Sequence, residues 1–134
     1  MLASGRQRFD SDGGAALEFA IIAPIFLLLF CGIAVYGYWF HLGQSVQTLA
    51  TEGARASIGG LDASERSSLA LAYIDAQAPA SGLAAADLTR TVDTTGSVTR
   101  VTVRLDVSHQ PLMALAQMLP APPQTIERSA VVLG

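Results

Sequence analysis

Hydrophobic positions fall along this chain in three regimes, and each predicts a different kind of element. From Phe19 to Phe40 the run FAIIAPIFLLLFCGIAVYGYWF carries 22 residues without a charge. As a helix it would be roughly 33 Å long, enough for the ~30 Å hydrocarbon core of a bilayer. Past that run the apolar positions narrow to a stripe. Val46, Leu49, Ala50, Gly53 and Ala54 recur at helical spacing, with Thr48, Thr51, Glu52 and Arg55 on the wetter positions. The pattern predicts one continuous helix from about residue 15 to 58, roughly 65 Å long, which the Gly59-Gly60 pair brings to an end.

A second helix has a clear start signal, because Asp62 is a good N-cap and Glu65 stands three residues on. Leu69, Ala70, Tyr73 and Ile74 make its apolar stripe, and Pro79 closes it. Residues 78–86 are small and loop-like. From Leu88 the period changes to two: Val101, Val103, Leu105 and Val107 alternate with Thr102, Arg104, Asp106 and Ser108, as in a half-buried strand. A weaker strand over 88–94, a turn at Thr95-Gly96-Ser97 and a last strand over 125–133 complete a small antiparallel sheet. The fold class expected is α+β.

Within the apolar run, three features stand out. Glu18 is the single carboxylate of the longer apolar stretch from Gly13 to Phe40, just inside its N-terminal edge and directly after Gly13-Gly14-Ala15-Ala16-Leu17. An acid in a membrane-length segment is costly and is a functional-site hypothesis by default. It can act as a registry device between docking helices, as part of a processing signal, or as a snorkelling anchor at the headgroups. Pro24 lies inside the span and removes one backbone donor, which kinks a helix unless neighbours compensate. Tyr36, Tyr38, Trp39 and Phe40, with His41, form an aromatic belt suited to the far interface.

Composition narrows the partners. The chain has 134 residues, a formal charge of −3, and arginine as its only basic side chain apart from two histidines. No basic face for nucleic acid is present in that pattern. Residues 60–134 number fewer than 80, a size at which a hydrophobic core alone is marginal. Cys31 is the only cysteine and lies mid-span, so no internal disulfide can help. The domain is therefore expected to lean on neighbouring subunits or on its own long helix. The apolar run is too long for the core of an ordinary secretory signal, and Val35 to Phe40 stays apolar past the small-x-small site at Gly32-Ile33-Ala34. The helix is expected to stay. Arg6 and Arg8 precede the span, while the first basic residue after it is Arg55, which favours a cytoplasmic N-terminus and a C-terminal domain outside the cytoplasm.

Catalytic and metal chemistry find little support. Asp106, Ser108 and His109 are close in sequence, but strand alternation points the first two away from the third. No Cys/His set has metal-ligand spacing and no glycine-rich loop opens a helix, so no metal, cofactor or small-molecule substrate is implied. Glu52 and Arg55 form either a surface pair or a contact with a partner. The apolar, proline-bracketed stretch from Pro111 to Leu119 either covers the sheet or presents Met113 and Met118 to a partner or the membrane surface.

Residues GGAALEFAIIAPIFLLLF resemble the start of the TadE/TadG-like family, pseudopilin-like proteins of the tight-adherence (Tad) pilus machinery. ATEGARAS, at 50–57, is similar to the Glu-Gly-Ala-Arg stretch that follows the span in that family, and the alternating VTRVTVRLDV strand is a weaker match. The resemblance implies a pilin-like domain behind a single membrane helix and a structural, non-enzymatic role as a minor pilin or pseudopilin in Tad pilus assembly. It also implies a processing signal formed by Gly13, Gly14, Glu18 and Phe19, cut by a prepilin peptidase between Gly13 and Gly14, with Gly14-Ala15 as a slipped alternative. On that basis residues 1–13 would be a leader, 14–41 the membrane helix, 42–59 its extracytoplasmic extension and 60–134 a small α+β domain. After cleavage, the new ammonium at Gly14 of one subunit would pair with Glu18 of another. The implied partners are the inner membrane, the peptidase, other pilins or pseudopilins and Tad inner-membrane assembly proteins. The alternative role is an uncleaved, membrane-anchored component that binds a secretion channel or another envelope partner.

Overall fold

A computed structural model describes residues 10–134, with side chains from Gly13 onward. The first element, α1, is a single helix over Asp10–Ser57, 48 residues long and unbroken at Pro24. It starts at Asp10, about five residues earlier than the apolar pattern predicts, so the last residues of the expected 1–13 leader are helical; the rest of that leader lies outside the described residues. Adding residues to an existing helix needs no new nucleus, which offsets the ~1 kcal/mol cost of each glycine. From Gly13 to Phe30 the helix touches almost nothing else, and every residue there except half-buried Ala23 is exposed.

The distal half of α1 is different. Leu42, Val46, Leu49, Ala50 and Ala54 are buried along the stripe read from the sequence, and they form one side of the main core. At about 1.5–3 kcal/mol for each large apolar side chain, that stripe is comparable with the whole net stability of a small domain. The domain therefore leans on its own long helix, one of the two supports expected.

The turn after α1 is closed by short-range bonds, from Ile58 N to the Arg55 carbonyl at 3.1 Å and from Gly60 N to the Ser57 carbonyl at 3.1 Å. Gly82 and Gly96 are the described glycines with positive φ, so Gly59 and Gly60 do not end the helix by a left-handed cap. Gly60 is needed for space. A Cβ there would lie 2.5 Å from Arg66 N and 2.8 Å from Arg66 Cα.

The second helix, α2, spans Ala63–Gln77 and is capped by Asp62, whose carboxylate accepts from Glu65 N at 2.8 Å. The return contact lands one residue before the cap, where Leu61 N donates to Glu65 Oε2 at 2.8 Å. α2 packs on α1 through Ala70 and Ile74, and Gly53 makes room for it: a Cβ at Gly53 would sit 3.0 Å from Ile74 Cγ1. Two single turns over Pro79–Ser81 and Ala85–Asp87 lead to the sheet.

Strands β1 (Leu88–Thr95), β2 (Val98–Asp106) and β3 (Thr125–Leu133) form an antiparallel meander in the order β1-β2-β3. Thr95 pairs with Val98 across a two-residue loop whose first residue, Gly96, has φ +62°, as a type II′ turn requires. On the inner face Val101 lies between Val92 and Ala130, and Leu105 between Leu88 and Ile126. That face covers α1 and α2, while Arg104 and Glu127 pair at 2.7 Å on the outside. The molecule is thus α+β, with a long N-terminal helix whose outer half is built into the core.

Candidate functional site

Two places on α1 carry the residues singled out from the sequence. The first is the stretch around Glu18. Gly13 and Gly14 are so open that a Cβ at either would meet nothing within 4 Å. Glu18 is exposed, and Phe19 beside it is 73% exposed. Gly14 and Glu18 are one helical turn apart on one face, as i and i+4 positions must be. Farther along, Phe19, Ala23, Phe26 and Phe30 line an open apolar groove on one side of the helix, with Phe26 and Phe30 rings 6.5 Å apart.

The second place is the aromatic belt. The structure gives these rings a task that local sequence could not reveal. Tyr36 Oη donates to the Pro120 carbonyl at 2.6 Å, and Trp39 Nε1 donates to the Pro123 carbonyl at 2.9 Å. Tyr38 Oη donates to Gln110 Oε1 at 2.9 Å. Tyr38 and Trp39 also pack against the main core, while Phe40 stays mostly exposed and meets Trp39 edge-on at 5.5 Å. Three adjacent rings therefore clamp the segment between β2 and β3 onto α1.

The clamped residues Gln110, Pro120 and Pro123 flank a 3-10 helix over Pro111–Met118. It divides its two methionines. Met113 is half-buried and packs against the core, whereas Met118 is 79% exposed. Of the two roles read from the sequence, covering the core suits Met113 and display suits Met118. Glu52 and Arg55 form a single contact at 3.4 Å on the exposed side of α1.

Near the end of β2 the structure brings Ser108 and His109 together. The strand stops at Asp106, so alternation no longer separates them, contrary to the sequence-based expectation. Ser108 Oγ lies 3.4 Å from His109 Nδ1, and Asp87 Oδ1 lies 3.8 Å from the same nitrogen. A hydrolase triad needs its serine and its acid on opposite ring nitrogens, and this arrangement places both on one. Asp106 instead serves the turn: hydrogen bonding from the Ser108 hydroxyl and backbone N–H holds its carboxyl below the usual carboxylate range, with Ser108 N at 2.9 Å. Among the described residues no group of three or more His, Cys, Asp or Glu side chains could hold a metal ion.

Some structural residues escaped the sequence reading. Arg66 Nε donates to the Gly60 carbonyl at 3.1 Å, and its guanidinium lies beside Gly134 at the end of β3. Arg90 on β1 pairs with Asp75 on α2 at 3.0 Å. The approach of Arg66 to Gly134 joins elements distant in sequence, and nothing in local pattern marks it or the Arg90–Asp75 pair.

The helix that carries Gly13, Gly14, Glu18, the aromatic belt and Arg55 is the part of the chain with a recognised pattern. Residues 13–55 match the family described as TadE-like protein. Over that stretch the helix is similar to the TadE-like family. The match covers α1 from the glycine pair to its last turn, and it supports a Tad pilus-associated protein. No curated protein and no solved structure matches the chain significantly. The matched segment lies within the one candidate membrane span among the described residues, Gly13–Ser57, so the chain fits a single-pass membrane protein.

Proposed function

We propose that this TadE-like chain is a minor pilin or pseudopilin that takes part in assembling Tad (Flp-type) pili, with a structural and non-catalytic role. The observation that carries the reading is the TadE-like match over 13–55, a stretch that includes the glycine pair and Glu18; in support, a Cβ at Gly13 or Gly14 would meet nothing within 4 Å and Glu18 is exposed. In this reading the helix lies in the bacterial inner membrane, the N-terminus faces the cytoplasm, and the α+β domain stands outside it. A prepilin peptidase cuts at Gly13-Gly14. Glycine is the residue most easily taken out of a helix, so the pair is a natural place for the chain to open into the enzyme. The new ammonium of one subunit then docks on Glu18 of another. A buried ion pair of this kind supplies registry more than stability. Other pilins or pseudopilins and Tad inner-membrane assembly proteins are the partners.

Mass spectrometry of the N-terminus, in cells with and without the peptidase, tests this. A chain beginning at Gly14 that disappears with the peptidase is the expected result. A second readout is Glu18→Ala, which should leave membrane insertion intact or improved while impairing assembly; normal pili from that variant would remove the registry role.

One observation favours a second reading, an uncleaved anchored component that binds a secretion channel or envelope partner. α1 runs without interruption through Gly13 and Gly14 from Asp10, so the bond to be cut lies inside a helix. An intact N-terminus beside an active peptidase would select that reading.

A further inference from the structure

The proline-bracketed segment sits at an unexpected height on α1. Tyr36 Oη and Trp39 Nε1 hold the carbonyls of Pro120 and Pro123, at positions still within the apolar run that ends at Phe40. Val35 is fully buried and Ala116 nearly so, both outside the main core, and α1 touches the 3-10 helix directly; these two residues mark the seat of the segment. Below that seat Cys31 and Gly32 are still half-buried, while 13–30 other than Ala23 are exposed. The segment therefore lies alongside the last turns of the apolar span, not above it.

Its composition fits that position. From Val107 to Ile126 the sequence contains no Asp, Glu, Lys or Arg. Leu115 is 41% exposed and Met118 is 79% exposed, both on the 3-10 helix. At that depth polar groups need internal partners, and the Tyr36, Tyr38 and Trp39 hydrogen bonds provide them. A short, uncharged element with outward apolar side chains and amphipathic rings behind it has the character of an interfacial membrane contact.

We propose that Pro111–Leu119 is a second membrane contact: a foot that lays Leu115 and Met118 into the lipid boundary of the bilayer that α1 crosses, on the side of the soluble domain. This rests on reading α1 as the membrane span. The foot fixes the bilayer boundary near Tyr36. A core of ~30 Å counted back from there at ~1.5 Å per residue ends near Ala16. Glu18 then sits within one helical turn of the opposite boundary, where the cost of a carboxylate is lowest. The foot and the span together set both the depth and the tilt of the domain, which a single helix leaves free.

The test uses the full chain in a Cys31→Ala background, with single cysteines at Met118, Leu27 and Leu61 carrying an environment-sensitive fluorophore. The labelled chains are reconstituted into vesicles of phosphatidylethanolamine and phosphatidylglycerol, with and without spin-labelled lipid. Leu27 reports the span and Leu61, 91% exposed, reports the far end of the domain. The Met118→Cys probe should show blue-shifted emission and lose intensity to spin-labelled lipid, as Leu27→Cys does, while Leu61→Cys responds only to aqueous iodide. If Met118→Cys follows Leu61→Cys while Leu27→Cys remains lipid-quenched, the foot is wrong and the span stands. If Leu27→Cys is itself open to iodide, the span and the foot fall together. Lipid quenching at Leu61 would mean the domain lies flat on the bilayer, which also overturns the foot.

Discussion

Gly60→Ala isolates one close approach in this fold. Its Cβ would fall 2.5 Å from Arg66 N, 2.7 Å from Arg66 Cγ and 2.8 Å from Arg66 Cα. Ordinary non-bonded separations are about 3.5–4.0 Å, so the overlap is about 1 Å and two of the three atoms are backbone. Backbone cannot rotate away. Arg66 N is also bonded to the Asp62 carbonyl at 3.0 Å, so relief requires the first turn of α2 to move. Overpacking costs about 1–3 kcal/mol, and disturbing the Asp62 cap adds about 1. Alanine returns about 0.4–1 kcal/mol by restricting the unfolded chain. The net destabilisation is about 1–3.5 kcal/mol, which for a domain near 100 residues lowers Tm by about 4–8 °C for each kcal/mol. The internal control is Gly59→Ala, where the nearest atoms to a Cβ are Leu69 Cδ1 at 3.7 Å and the Ala56 carbonyl at 3.8 Å. That change should be neutral or slightly stabilising. The assay is thermal unfolding of the full chain in detergent, followed by near-ultraviolet circular dichroism of the Tyr38 and Trp39 rings fixed against the core. Equal Tm values for the two variants would refute the argument.

Other outcomes follow from single contacts. Asp62→Ala removes the acceptor for Glu65 N and should cost about 1 kcal/mol, read as a lower denaturant midpoint at unchanged slope. Trp39→Phe deletes the bond to the Pro123 carbonyl and should cost about 0.5–1.5 kcal/mol, with faster hydrogen exchange at 111–119 and none at the β2 amides. Asp106 has its folded-state pKa depressed by Ser108, so its contribution is present above the unfolded pKa and is lost as pH falls through the folded one. Asp106→Asn should therefore flatten the acid limb of a stability profile below about pH 4, where an unperturbed Asp titrates. An unchanged acid limb would remove that role.

Much of this protein was legible because its strongest signals are local. The stripe Val46, Leu49, Ala50, Gly53, Ala54 is a statement about one helix, and burial of every member follows from the 3.6-residue period alone. Alternation through Val101, Val103 and Leu105 fixed the inner face of β2 in the same way, and Asp62 announced the start of α2. The errors came where local rules stop. Strand alternation was carried past Asp106 to Ser108 and His109, where the chain is already turning. The Gly59-Gly60 pair does follow the end of α1 at Ser57, but through space rather than left-handed backbone, because Gly60 answers to a neighbour six residues on.

By itself, then, the sequence determined the long apolar helix, its extension and the α+β class, since each depends on periodicity or on residues a few positions apart. Tertiary structure alone decided what the aromatic belt holds. Tyr36 and Trp39 reach carbonyls 84 positions away, and acceptors that every backbone carries leave no mark in a sequence. It likewise decided that Met113 turns into the core and Met118 outward, because a 3-10 helix seated on α1 has one covered face and one free. The physical reason is the same in both cases: periodicity tells which side of an element is apolar, and only the packed chain tells what lies against it.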